Sequence, residues 1–208
     1  MNNLDKLIAL FERFPGVGAR QAKRFAFHVL TMSDTDTKEL AELIAALKGS
    51  VVECSSCHRF YAAQSGTTCT ICTSPNRDHD RLLVVERDSD IQAIERAGVY
   101  DGLYFVLGGT VPLLNTSDSN RVRAGALKAT VETRLPHGLS EIIFGFSVNP
   151  DGENTARFVE SIIRPLLVGT AVHISYLGRG LSTGSELEYA DPETIKNALQ
   201  NRSTHDVA

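Results

Sequence analysis

Four cysteines constrain this chain more than any other feature. They stand as Cys54-Ser55-Ser56-Cys57 and Cys69-Thr70-Ile71-Cys72, and they are the only cysteines among 208 residues. Two Cys-x-x-Cys knuckles bring four thiolates to one tetrahedral point, the geometry of a closed structural zinc site with one ion per chain. The loop between them is shorter than the common ribbon spacing and carries Gly66 and small polar residues, so the site is expected to be compact. Two other readings use the same residues: a pair of disulfides, or four unrelated buried thiols. The first apolar run, Leu7 to Leu10, is short and sits inside a charged helical pattern, unlike a signal peptide. A reducing, cytoplasmic setting is therefore expected, where paired knuckles more often hold metal. Four sulfurs leave no open position for a substrate water, which makes the metal structural. His58 and His79 lie close in sequence but find no vacancy and are expected at the surface.

The length allows one sizeable domain, or two small ones with a metal-stapled insert. No apolar run approaches the roughly 20 residues needed to cross a bilayer. A net charge of -4 gives no global nucleic-acid signature, so local distribution matters more. Between Phe11 and Leu30 stand Arg13, Arg20, Lys23 and Arg24, with Glu12 as the only acid.

That basic stretch surrounds a turn. Leu4, Leu7, Ile8, Phe11 and Phe14 recur at helical spacing, predicting an amphipathic helix over 3–13 that stops at Pro15-Gly16-Val17-Gly18. A second helix follows, with Ala22, Phe25, Ala26 and Val29 on its buried face. A third runs from about Asp36 to Lys48, with Leu40, Leu43, Ile44 and Leu47 toward a core and Asp36 with Glu39 as a capping box. The turn is similar to a helix-hairpin-helix motif. Gly16 and Gly18 permit positive φ and leave backbone N–H groups bare enough to touch a phosphate. The following helix adds the positive end of its dipole. Arg20, Lys23 and Arg24, at i, i+3 and i+4, share one face beside it. Such a corner grips the DNA backbone without reading bases. An αα-hairpin with glycine caps and solvated cations, or an oligomerisation hairpin, fits the same residues.

After the cysteines the pattern changes to short apolar runs, Leu82–Val85, Tyr104–Leu107, Ile142–Phe144 and Val172–Tyr176. Helical stretches alternate with them, over roughly 89–97, 119–135 and 154–167. This predicts an α/β fold with a mostly parallel sheet and helices on both faces. Function in such sheets gathers at the carboxyl ends of the strands. Glu86 closes the first strand, and Asp151-Gly152-Glu153 lies in the loop after the Ile142 strand. A strand-end glutamate facing an acid-x-acid pair can hold Mg²⁺, as in a Toprim domain. Acids at a helix N-terminus are also favoured by the dipole alone. Near the end, Gly178-Arg179-Gly180-Leu181-Ser182-Thr183-Gly184-Ser185 lacks the lysine of a phosphate loop and reads as a mobile connection. Pro192 opens a last helix with Ile195, Ala198 and Leu199 on its apolar side, and residues 203–208 form a polar tail. The expected regions are 1–53 helix-hairpin-helix, 54–79 zinc finger, 80–177 Toprim, and 178–208 an oligomerisation segment.

The order of parts is more specific than any one of them. Helix-hairpin-helix, four-cysteine site, Toprim-like sheet, then Gly-Arg-Gly-Leu with Leu187-Glu188-Tyr189-Ala190-Asp191, together resemble the RecR family of bacterial recombination mediators over nearly the whole chain. Val84-Val85-Glu86, Tyr100-Asp101-Gly102-Leu103-Tyr104 and Val106-Leu107-Gly108-Gly109 support it. Phe105 and Ser182 depart from the family's usual histidine and proline. The resemblance implies a non-catalytic DNA clamp in recombinational repair. It would act with RecO and RecF to help RecA load on gapped DNA coated by single-strand-binding protein, as a homodimer or ring tetramer. It implies DNA contact by Arg20, Lys23 and Arg24, zinc at Cys54, Cys57, Cys69 and Cys72, and an acidic cluster of Glu86, Asp151 and Glu153 serving as a partner surface or former metal site. The competing class is a small Mg²⁺-dependent Toprim nuclease or primase-like enzyme using those acids.

Overall fold

The computed structural model describes residues 1–62, 66–113, 122–182, 184 and 186–202. They divide into two compact units, Met1–Val52 and Glu53–Ala208. The first unit is helical, and side-chain caps start its first and third helices. Helix α1 (Asn3–Phe11) begins at Asn2, whose side chain accepts from the Asp5 N–H while Asp5 takes the Asn2 N–H in return. Helix α2 (Ala19–Thr31) begins at Gly18, which has no side chain to do this. Ala22 and Ala26 are fully buried against α1, and Phe11 meets the rings of Phe14 and Phe25 edge-on at 5.8 and 5.9 Å. Phe25 itself stays partly exposed.

Helix α3 (Asp34–Ser50) corrects two expectations. Its cap is Ser33, whose hydroxyl accepts from the Asp36 N–H at 3.1 Å, and not Asp36 with Glu39. Ser33 offers the first oxygen within reach of an unpaired N–H, so the helix starts two residues early. The predicted core face is on one side of the helix but is not buried: Leu43 and Ile44 are 62% and 64% exposed, and Leu40 and Leu47 are also exposed. Periodicity specifies a face and says nothing of what covers it.

After α3 the chain forms a two-stranded ribbon, β1 (Val52–Glu53) and β2 (Phe60–Tyr61), followed by the single-turn α4 (Thr70–Thr73). Then strands and helices alternate: β3 (Asp78–Val85), α5 (Asp88–Ala97), β4 (Gly102–Val106), α6 (Ala124–Arg134), β5 (Glu141–Gly145), α7 (Pro150–Leu167) and β6 (His173–Tyr176). The sheet order is β4-β3-β5-β6, every pair parallel, with β3 in the middle against both β4 and β5. The α/β architecture is therefore as expected.

Alternation along β3 explains both faces of the sheet. Leu82 and Val84 join Leu103, Phe105, Ile142 and Phe144 on one side, covered by Leu127 and Val131 of α6 and by Val159 and Ile163 of α7. Leu83 and Val85 point the other way, with Tyr104, Val106 and Ile91 of α5, and there three of the cysteines complete the layer. Arg77, leading from the cysteines into β3, is fixed by an ion pair to Glu95 and by donation to the carbonyls of Tyr100 and Gly102 at 3.2 and 3.4 Å. The Tyr104 hydroxyl donates to the same Glu95 at 2.6 Å.

Two boundaries differ from the sequence reading. Helix α6 begins at Ala124, with Val122 and Arg123 outside it although the expected helix includes them, and the expected start at Ser119 lies outside the described residues. Helix α7 starts at Pro150, so Asp151 and Glu153 belong to its first turn and not to the preceding loop. Asn149 caps it, accepting from the Gly152 N–H at 2.8 Å, and Pro150 fills the first helical position without wasting a donor. After β6 the chain passes through a short 3-10 turn to α8 (Pro192–Gln200), capped by Asp191. Asn201 donates back to the Arg179 carbonyl at 3.0 Å. Ile195 and Ala198 are half-buried, while Leu199 remains 60% exposed.

Candidate functional site

The four cysteines come together as their spacing demands. Their sulfurs all lie within 4.8 Å of one another, with Cys54, Cys57 and Cys69 buried, and none forms a disulfide. The first knuckle is shaped by backbone bonds: Cys54 N–H to the Arg59 carbonyl at 2.8 Å, and His58 N–H to the Cys54 carbonyl at 2.9 Å. His58 takes a positive φ of 62° to close it. In the second, Cys69 caps α4, and its N–H donates to Cys54 Sγ at 3.3 Å.

The fit to a metal can be checked by geometry. Zn–S bonds of about 2.3 Å place tetrahedral sulfurs roughly 3.8 Å apart. Cys57 and Cys69 stand at 3.7 Å. Charge points the same way. Hydrogen bonding to the other sulfurs, with burial behind it, pushes the Cys57 thiol well up, while the same bonding lowers that of Cys69. Four sulfurs crowded at one point cannot all ionise without a compensating charge, which a divalent cation would supply. Among the described residues this is the one group of three or more such ligands gathered to a point. The Cys57 carbonyl also accepts from the Val106 N–H at 2.8 Å, tying the finger to the edge strand.

His58 is not the plain surface residue expected. Its Nδ1 meets Glu53 at 2.6 Å, its ring packs edge-on against Phe105 at 5.1 Å, and Glu53 also pairs with Arg123. His79 is exposed, as expected.

In the first unit, Gly16 adopts φ of +76°, a conformation that side chains resist. The Val17 N–H is satisfied by Phe14, but the Ala19 and Arg20 N–H groups at the start of α2 find no acceptor among the described residues. Arg20, Lys23 and Arg24 are all exposed beside this end. Arg24 meets only the Gln21 amide at 3.4 Å, and no carboxylate pairs with any of the three among the described residues. A shallow concavity of about 760 Å³ runs along them and includes Phe25, Phe27 and His28. Free N–H groups, a dipole end and unpaired cations in one place form an anion-binding surface.

The three acids at the carboxyl edge behave differently. Glu86, only 5% exposed, accepts from Ser147 N–H at 2.7 Å and Ser147 Oγ at 2.9 Å. Asp151 accepts from the Leu113 N–H at 3.0 Å, and Glu153 pairs with Arg179 at 3.1 Å and Arg157 at 3.5 Å. Each acid therefore holds a different loop, the ones after β5, β4 and β6 respectively. Thr155 and Asn154 of α7 reinforce the second loop through Val111, at 2.8 and 3.0 Å. Sequence reasoning missed Ser147, Asn154, Thr155 and Arg179 as partners, because nothing in their spacing announces a contact that only the strand register creates.

Family models match three stretches of the chain: RecR, helix-hairpin-helix over residues 4–48, Toprim domain over 80–178, and RecR, C-terminal over 180–203. Curated relatives include the "Recombination protein RecR" of Streptococcus thermophilus, 34% identical over 200 residues, and that of Lactococcus lactis subsp. cremoris, 34% over 199. The protein of the same name from Streptococcus pneumoniae is 33% identical over 200 residues. Each alignment covers 96% of this chain and 96% of the relative.

Proposed function

Since this chain belongs to the RecR family of recombination proteins, we propose that it acts in recombinational repair as a non-catalytic clamp that grips the sugar-phosphate backbone of DNA. The observation that carries this reading is the hairpin corner: exposed, unpaired Arg20, Lys23 and Arg24 beside the uncapped start of α2. These groups, with Gly16 and Gly18, are the DNA contacts. They neutralise phosphates and ignore base edges, so binding is insensitive to sequence and strongly sensitive to salt.

The metal is a single structural zinc. It staples the finger over the second face of the sheet, and it offers no coordination position to a substrate. Glu86, Asp151 and Glu153 shape the carboxyl edge as a docking platform for repair partners, RecO and RecF, in support of RecA loading on gapped DNA coated by single-strand-binding protein. The engagement of each acid by a separate loop supports a structural role over Mg²⁺ chemistry. The uncovered Leu43 and Ile44 face of α3 and the exposed Leu199 of α8 support assembly as a homodimer or ring tetramer.

Incubation of zinc-loaded protein with end-labelled gapped DNA and Mg²⁺ or Mn²⁺ tests the reading. The expected result is salt-sensitive retention with every strand intact. Strand cleavage that disappears in Glu86→Gln would make the protein a Toprim nuclease instead.

A further inference from the structure

A second basic concavity lies within the second unit. It is a cleft of about 580 Å³ between the first cysteine knuckle and α6. Its wall carries Arg134, His58, His79 and His137, together with hydroxyl groups such as Thr133, and no carboxylate among its lining residues. We propose that this cleft is a binding site for a phosphate group, with Arg134 as its anchor.

The residues already have fixed polarities. Arg134 is half-buried at the last turn of α6, and no carboxylate pairs with it among the described residues. A half-buried guanidinium without an acid partner is a donor array in want of an anion, and its planar fork matches phosphate oxygens. The His58 Nδ1 is taken by Glu53 at 2.6 Å, and the His137 Nδ1 sits 2.7 Å from the Thr133 carbonyl. A carbonyl only accepts, so that His137 nitrogen carries a proton, and the neutral ring leaves Nε2 as an acceptor for the P–OH hydrogen of a phosphate or for a bridging water. His79 is exposed at the rim. Arg134 is also within electrostatic reach of Cys57 and Cys72. A counter-ion role toward the metal centre explains that one residue, but not three imidazoles around the same hollow.

The phosphate could belong to a free phosphate compound or to a nucleic-acid backbone, and the test separates the two. Zinc-loaded full-length protein, with ¹⁵N-labelled histidine rings, is titrated with inorganic phosphate at constant ionic strength. The expected result is saturable movement of His79 and His137 signals while His173 stays still. Arg134→Gln should weaken this roughly tenfold or more, the loss expected for one charge-assisted contact. If that variant fails to fold, His137→Ala, at an exposed position, should weaken it in the same direction. A parallel titration uses an unphosphorylated oligonucleotide. If it moves the same signals and phosphate competes, the site takes backbone phosphate; if only phosphate acts, it takes a free phosphate compound. The proposal falls if neither probe gives saturable shifts, or if all six histidines drift together. It also falls if Arg134→Gln binds phosphate normally and merely loses zinc. Failure here leaves the hairpin reading untouched, since Arg20 and Lys23 take no part in it.

Discussion

Replacing Glu86 distinguishes a loop latch from a metal ligand. In the latch, its two oxygens accept separately from the N–H and hydroxyl of Ser147, at 2.7 and 2.9 Å, with the carboxylate almost fully buried. Bonds to a charged acceptor contribute about 1.5–3 kcal/mol each. Glutamine preserves the shape. Its amide oxygen can still accept from the N–H, and the Ser147 hydroxyl, donor and acceptor both, can rotate to accept from the new NH₂. Glu86→Gln therefore sacrifices charge but no bond, a cost of about 1 kcal/mol, or roughly 2–4 °C in Tm for a unit of this size.

Glu86→Ala takes the acceptor from both Ser147 donors, which are exposed enough to turn to water at about 1 kcal/mol each, and it empties the buried pocket that the side chain filled. The local backbone cannot easily close the gap, because Gly152 already lies under Ser147: a Cβ there would sit 2.0 Å from the Ser147 carbonyl oxygen. The loss should be about 3 kcal/mol, or roughly 6–12 °C. Calorimetry of the zinc-loaded proteins, with and without millimolar Mg²⁺, reads both values. The latch predicts a small shift for Gln, a large one for Ala and no Mg²⁺ effect in any protein. Equal losses in both variants, with an Mg²⁺-dependent rise in Tm confined to the wild type, would refute it.

Other perturbations follow from the same geometry. Cys57→Ser should lower bound zinc from one ion per chain to none and expose the sheet face made by Leu83 and Val85, because a structural zinc contributes directly to folding; an unchanged Tm by calorimetry would count against it. Leu43→Asp with Ile44→Asp, on the uncovered face of α3, should reduce the solution mass measured by light scattering, while a wild-type mass would remove that face from assembly. Burial tends to raise the Glu95 carboxyl, but donation from Arg77 and Tyr104 outweighs it and the net value is lowered from 4.5. Its folded pKa lies below the unfolded one, so it adds stability above the ordinary glutamate range and loses it as pH falls through the lowered value. Glu95→Gln should flatten the acid limb of the stability profile, and an unaltered limb would contradict the assignment.

How much of this was legible beforehand depends on the distance over which each feature is determined. The cysteine centre follows from local spacing, and the strands follow from short apolar runs, so both are visible in the chain itself. The parallel sheet follows from alternation of elements. The start of α7 was also encoded, in Asn149-Pro150, but an acid pair next to a glycine resembles a loop as easily as a first helical turn. The Ser33 cap lost to Asp36 for a similar reason, since both residues suit a helix start. What no local pattern could show is which residue meets Glu86. Ser147 reaches it only because β5 pairs with β3 in the register that sets Gly145 beside Val85. The bare face of α3 is the converse case: its pattern predicts burial, and within its own helical unit nothing covers it.

The claim on which the account turns is that the hairpin corner holds DNA through its phosphates. The most direct measurement is the salt dependence of duplex binding by wild type and by Arg20→Ala with Lys23→Ala. Each lost phosphate contact should remove about 0.9 from the slope of log K against log salt, so the double variant should flatten it by roughly 1.8 per hairpin engaged. It should do so equally for unrelated sequences. A double variant that binds with the wild-type slope would show that the protein holds DNA somewhere else.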